Sequence, residues 1–256
     1  MREITVGAAR LPYRVLGSGR PLVLVHGGSK GSQGWDRVAE ALVDTRTVVL
    51  PDLSGSDAAR DDGGALSVEL LAEQVAAVID DLGQGPADVV GHSMGGAVVA
   101  GLAAARPDLV RRLTLVSGWT GRGDEYLRHA LALWLDLAGD ADAFARYTML
   151  IAFSRGYLDS LGPAAVAEVA TSYRPAPGRL RQIELANRLD VRDQLSRIQA
   201  PTLVIGCSRD VLISAEYSRG LTAAIPDATY AELEAGHIVM AEQPAELAKL
   251  IHGFLD

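Results

Sequence analysis

The sequence predicts an α/β domain built on a mostly parallel sheet, and three observations carry that expectation. Short apolar, β-branched runs, too short for stable helices, alternate with longer segments of helical periodicity. Two of the short runs, Leu22-Val23-Leu24-Val25 and Thr202-Leu203-Val204-Ile205, are apolar on both faces, as central strands covered by helices must be. At 256 residues, 48% hydrophobic and 22% charged, the chain can bury a core without disulfides or metals, and its composition excludes disordered or collagen-like structure.

In chain order, the strand candidates are residues 3–6, 11–16, 22–26, 47–51, 88–91, 113–117, 202–206 and 229–233. No helical stretch separates the first two, so they are expected to form an antiparallel edge. Ser67 reads as the N-cap of a helix in which Val68, Leu71, Val75, Val78, Ile79 and Leu82 share one face until Gly83 ends it. Pro244 opens the last helix, with Leu247, Leu250, Ile251 and Phe254 on one face. Between residues 119 and 189 the alternation stops. Helical spacing continues there, punctuated by Gly139, Gly162-Pro163 and Pro175-Ala176-Pro177-Gly178, with no clear strand. This stretch is expected to be a helical lid over the carboxyl ends of the strands, where open α/β sheets bind ligands. The core is then residues 1–118 and 190–256, and the cap residues 119–189.

The net charge of −8 would repel nucleic acid and anionic membrane surfaces, so neither is an expected partner. Cys207 is the only cysteine, which excludes an intrachain disulfide or a Cys-rich metal site. The N-terminal residues lack the apolar stretch of a signal peptide, and no run approaches the roughly 18 apolar residues of a membrane span. A cytoplasmic location is expected, as a monomer or homodimer.

Gly91-His92-Ser93-Met94-Gly95 matches G-x-S-x-G between an apolar strand and a small-residue helix. In that setting a sharp strand-to-helix turn would expose the Ser93 hydroxyl above a helix N-terminus, with the glycines relieving the crowding. A serine hydroxyl needs a base, and the base needs an orienting acid. Of the five histidines, His237 follows the last strand candidate and would lie at the same sheet edge as Ser93. His129 falls in the lid and His252 inside the final helix. The acid is expected to be Asp210, after residues 202–206, with Asp124 as the alternative; Asp210 could also be an ordinary loop aspartate, although Ser214 would already cap the next helix. For a developing oxyanion, the donors would be the N–H groups of Met94 and, in the loop after residues 22–25, Gly28; losing one such donor typically costs about 3–4 kcal/mol.

The ordered set His26-Gly27-Gly28, Pro51-Asp52-Leu53, Gly91-His92-Ser93-Met94-Gly95-Gly96, Pro201 to Gly206 with Asp210, and Gly236-His237 with Glu242-Gln243-Pro244 resembles the α/β-hydrolase fold superfamily over nearly the whole chain. The resemblance implies an eight-stranded, mostly parallel sheet, a helical cap between strands six and seven, and a Ser93, Asp210, His237 triad working without cofactor or metal. With no aspartate nucleophile, the haloalkane dehalogenase and epoxide hydrolase branches are disfavoured. The sequence departs from the family pattern at Ser54-Gly55-Ser56-Asp57-Ala58 and at Ser214, which stands where a proline is common.

Eight aromatic residues fall between positions 119 and 173, against five in the rest of the chain. They read either as a ring-lined pocket for a hydrophobic or aromatic group or as packing for a small helical layer. Trp119, Met149, Phe153 and Met240 are the pocket candidates. The expected activity is hydrolysis of a carboxylic ester, lactone or thioester of a hydrophobic small molecule through an acyl-enzyme. The same site would also suit a C–C hydrolase, lyase or cyclase acting on a biosynthetic intermediate, and the same fold a non-enzymatic ligand sensor.

Overall fold

The computed structural model describes residues 1–28, 31–121 and 123–256. All eight expected strands form, each within a few residues of its expected bounds: β1 Arg2–Val6, β2 Ala9–Gly17, β3 Arg20–Val25, β4 Arg46–Pro51, β5 Ala87–His92, β6 Val110–Val116, β7 Thr202–Cys207 and β8 Ala228–Leu233. They make one sheet in the order β1-β2-β4-β3-β5-β6-β7-β8. The first two strands are the antiparallel edge the sequence suggests. β2 also runs antiparallel to β4, and every pairing beyond that is parallel.

The helices are α1 Asp36–Glu40, α2 Val68–Leu82, α3 Met94–Ala105, α4 Glu125–Asp136, α5 Ala141–Ala152, α6 Arg155–Thr171, α7 Pro177–Arg188, α8 Ala215–Ala224, α9 Val239–Glu242 and α10 Pro244–Leu255. Period-2 alternation sorts the strand residues onto the two faces. Val23, Val25, Val49 and Val89 pack with α2 and α3, whereas Leu22, Leu24, Val48, Leu50 and Val90 pack with α1 and α10. The runs that are apolar at every position are therefore central strands with a core on each side. α2 begins and ends as expected: Ser67 accepts a hydrogen bond from the Leu70 N–H, and Gly83 takes a left-handed φ of 63°.

Between β6 and β7 the chain runs through α4 to α7. α6 breaks at Gly162 (φ 74°), just before Pro163, where the sequence carries its punctuation. These inserted helices share the main core: Leu127, Leu131, Trp134, Phe144 and Ile183 belong to the same buried cluster as Met94 and the β-strand valines. Arginines tie α7 to the loop after β4: Arg181 bonds the Asp61 carboxylate and the Gly64 carbonyl, and Arg188 bonds the Leu66 carbonyl. Among the described residues, no helix is long and apolar enough to cross a membrane.

Candidate active site

Parallel register gathers the chemistry. Val25 pairs with Gly91, His92 with Val116, Val116 with Ile205, and Cys207 with Leu233, so β3, β5, β6, β7 and β8 all finish along one edge of the sheet. Between β5 and α3 the chain turns sharply at Ser93, whose φ of 55° and ψ of −125° are rare for a residue with a side chain. Such a conformation costs about 1–3 kcal/mol and persists only where its surroundings hold it. Here the neighbours are glycines by necessity. A Cβ on Gly95 would stand 2.4 Å from the His26 carbonyl oxygen, and one on Gly91 would stand 2.4 Å from the Gly95 carbonyl oxygen.

Ser93, His237 and Asp210 come together in one hydrogen-bonded line. The His237 Nε2 lies 2.9 Å from Ser93 Oγ, and its Nδ1 lies 2.7 Å from Asp210 Oδ2. The aspartate's other oxygen, Oδ1, accepts the backbone N–H groups of Leu212 (2.9 Å) and Ile213 (2.8 Å). All three residues are buried. An ionised carboxylate can only accept, so His237 Nδ1 carries the proton, and Nε2 presents its lone pair to the Ser93 hydroxyl. Asp124 lies elsewhere. It is exposed and caps α4, where its carboxylate accepts the Leu127 N–H. Asp210 is thus also the loop aspartate of the alternative reading, since one carboxylate oxygen shapes its turn while the other meets the imidazole. Ser214 does occupy the position before α8, but its hydroxyl makes no capping bond there.

Two histidines without an expected role prove to be structural parts of this site. Leu53 N–H donates to His26 Nε2 (3.0 Å), so His26 Nδ1 holds the proton and donates it to the Gly27 carbonyl (2.8 Å), bracing the loop that carries Gly28. His92 Nε2–H donates to the His237 carbonyl (2.9 Å). Burial pushes both imidazoles toward the neutral form, His92 down to about 3, with the neighbouring His237 adding to the shift. A histidine held neutral in the fold and free to protonate when unfolded stabilises fully above its unfolded value near 6.5. That stability is lost as the pH falls below it, at up to about 1.4 kcal/mol per histidine per pH unit. The melting temperature is therefore expected to drop between pH 6.5 and 5, above the carboxylate range, and to drop less in His92→Gln. A flat profile over that window would contradict the assignment. Sequence offers a partial signal for these roles, because both residues adjoin glycine motifs, but Leu53 and the His237 carbonyl, which fix them in place, are distant in the chain.

Gly28, Met94 and Trp119 line a narrow cavity beside Ser93 and His237. Its far wall is built by the inserted helices, with Leu131 and Trp134 from α4, Thr148 and Ala152 from α5, and Ile183 from α7. The cavity's volume is about 30 Å³. Three pocket candidates fall outside this wall. Met149 follows the wall residue Thr148 by one position, about 100° around α5, and Phe153 is the extended residue that ends α5; both pack behind the wall residue Tyr173, where Phe153 stacks on Tyr157. Met240 joins the core on the other face of the sheet, and Ile238, one residue past His237, takes the place at the cavity. Apolar side chains make up most of the wall; its polar members besides Ser93 and His237 are Thr148, whose hydroxyl is engaged with Trp134 Nε1 and the Phe144 carbonyl, Tyr173, and Gln182, whose amide donates to the Ser54 carbonyl (3.2 Å).

A doubly wound sheet that turns through a strained serine beside a histidine and an aspartate defines an α/β hydrolase. The family model for the alpha/beta hydrolase fold matches residues 20–244, and the chain belongs to that family. It is 36% identical to a pyrrolizixenacetamide deacetylase of Xenorhabdus hominickii, an alignment covering 100% of this chain and 98% of that protein. With a putative carbamate hydrolase RutD of Azorhizobium caulinodans it shares 32% identity, over 97% and 96% of the two chains. The enol-lactonase of Burkholderia xenovorans LB400 has the same fold, with a TM-score of 0.89, 24% identity and 99% coverage of each chain. The protein is a hydrolase of the α/β fold.

Proposed function

We propose that the protein is a serine hydrolase that cleaves a carboxylic ester or lactone with a small apolar acyl group, by way of an acyl-enzyme on Ser93. The observation that carries this reading is the line from Ser93 Oγ through His237 to Asp210, opening on a cavity walled mostly by apolar side chains. Ser93 Oγ attacks the carbonyl carbon while its proton passes to His237 Nε2. The bond to the leaving oxygen then breaks, and His237 returns the proton to it. Water, deprotonated by His237, attacks the acyl-enzyme to release the carboxylic acid and restore the serine. Asp210 holds the imidazole tautomer and stabilises the imidazolium. The N–H groups of Met94, first residue of α3 and so without an intrahelical acceptor, and of Gly28 receive the oxyanion. The inserted helices act as a lid. A cavity of about 30 Å³ holds one or two waters, so a bulky acyl group is accommodated only as those helices shift.

A panel of p-nitrophenyl esters of graded chain length tests this. The acetyl ester is expected to turn over fastest, with kcat/KM falling about tenfold or more toward octanoyl as added methylenes outgrow the cavity. A rise with chain length would contradict the small acyl site. Loss of substrate without an acyl-enzyme burst would instead favour C–C cleavage, elimination or cyclisation. The deacetylase relative favours a second reading, in which the acyl group leaves nitrogen rather than oxygen. Hydrolysis of p-nitroacetanilide at a rate comparable to the acetyl ester would support it.

A further inference from the structure

His237 sits in the short segment between β8 and α9, and both of its chain neighbours are fastened to one corner of the inserted helices. The Ile238 N–H donates to the Ala152 carbonyl (2.9 Å). On the other side, the Gly236 N–H donates to Glu242 Oε2 (3.0 Å), and the same carboxylate grips the corner: Oε1 accepts the Ser154 N–H (2.8 Å) and Oε2 the Ser154 hydroxyl (2.6 Å). That corner joins α5 to α6. The two backbones touch there, since a Cβ on Gly236 would stand 2.4 Å from Ser154 N and 2.8 Å from the Phe153 carbonyl carbon. A glycine before the histidine is thus required by the approach of the inserted helices.

We propose that Glu242 is a positioning residue, whose carboxylate cross-links the lid corner to the histidine loop and thereby holds His237 in reach of Ser93. It touches no reacting atom and acts through Gly236. The inference rests on the reading of His237 as the base. Three donors converge on Glu242, two of them backbone N–H groups on different segments, and an ionised carboxylate, which only accepts, satisfies all three. A glutamine cannot. With its oxygen at the Oε2 position its amide faces the Ser154 N–H, and with its oxygen at the Oε1 position its amide faces the Gly236 N–H, so either way one backbone donor is opposed. The loop is held at three successive residues: Gly236 by Glu242, His237 by the His92 ring, and Ile238 by the Ala152 carbonyl. Of these three supports, Glu242 alone can be changed without disturbing the nucleophile turn or a backbone–backbone bond. A displacement of about 1 Å at a reacting group can cost on the order of a hundredfold in rate.

The test compares Glu242→Gln and Glu242→Ala with wild type, using Glu246→Gln as a control because Glu246 faces solvent beside Lys249. Turnover of p-nitrophenyl acetate, the rate at which a fluorophosphonate labels Ser93, and the melting temperature are measured on each. Expected is a fall of about tenfold in kcat for Glu242→Gln and about a hundredfold for Glu242→Ala, matched by the labelling rate, with KM within about threefold. Glu246→Gln should behave as wild type. If Glu242→Ala does not fold, the glutamine variant decides. A folded Glu242→Gln with wild-type kcat and labelling rate, or with a change confined to KM, overturns the proposal. Ser93→Ala run alongside separates the two failures. If it is inactive while the Glu242 variants are normal, only the positioning role is wrong; if it retains turnover, the serine reading falls and takes this inference with it.

Discussion

Ser93→Ala is expected to lower kcat/KM for p-nitrophenyl acetate by about four orders of magnitude or more, leaving only the catalysis that substrate binding and the oxyanion donors supply alone. The backbone geometry at Ser93 makes this a clean substitution. Alanine keeps a Cβ at the same φ of 55°, so the turn remains held by Gly91 and Gly95 against the His26 and Gly95 carbonyls, and only the hydroxyl opposite His237 Nε2 is lost. The variant should therefore fold, bind a substrate analogue, and fail to react with a fluorophosphonate. Turnover at the wild-type rate would show that the acyl group never passes through Ser93.

Asp210→Asn carries the second large effect, about four orders of magnitude in kcat, and the geometry says why a near-isosteric change should be so costly. Asp210 Oδ1 already accepts two backbone N–H groups, from Leu212 and Ile213. An asparagine must keep its carbonyl oxygen there, because its amide would oppose both donors. Its NH₂ then faces His237 Nδ1 and forces that nitrogen to accept. The proton moves to Nε2, the nitrogen that must take the proton from Ser93, and the base is lost with the fold intact. Asp124→Asn is the companion measurement. Asparagine caps a helix as well as aspartate does, and Asp124 meets α4 rather than the imidazole, so activity should stay within about twofold of wild type. Equal losses in the two variants would remove the reason for assigning the acid to Asp210.

Local patterns in the sequence are read most clearly where the physics is local. The central runs become strands because their β-branched and apolar residues find core on both faces, and Ser67 and Gly83 bound α2 because capping needs only neighbours within a few residues. The order of Ser93, Asp210 and His237 is legible for a related reason: each follows a strand, and parallel strands bring their carboxyl ends to one edge. Side-chain direction within the inserted helices is different. The sequence marks residues 149–153 as apolar and ring-bearing, yet whether Thr148 or Met149 faces the cavity depends on a rotation of about 100° about α5, and Phe153, where that helix ends, packs behind Tyr173 rather than in the wall.

The sequence by itself therefore determined the strands, the serine turn and the candidate nucleophile, base and acid, because periodicity, glycine spacing and order along the chain are read from contiguous residues. Tertiary structure alone decided which walls enclose the cavity, that His26 and His92 are neutral braces, and that Glu242 joins the lid corner to the histidine loop. Each of those is a contact between segments far apart in the chain, such as Ser154 with Glu242, and nothing in either segment taken alone specifies its partner. Close packing does specify it: the backbones at Gly236 and Ser154 approach too closely for a side chain, and the partly buried donors they bring with them must find an acceptor.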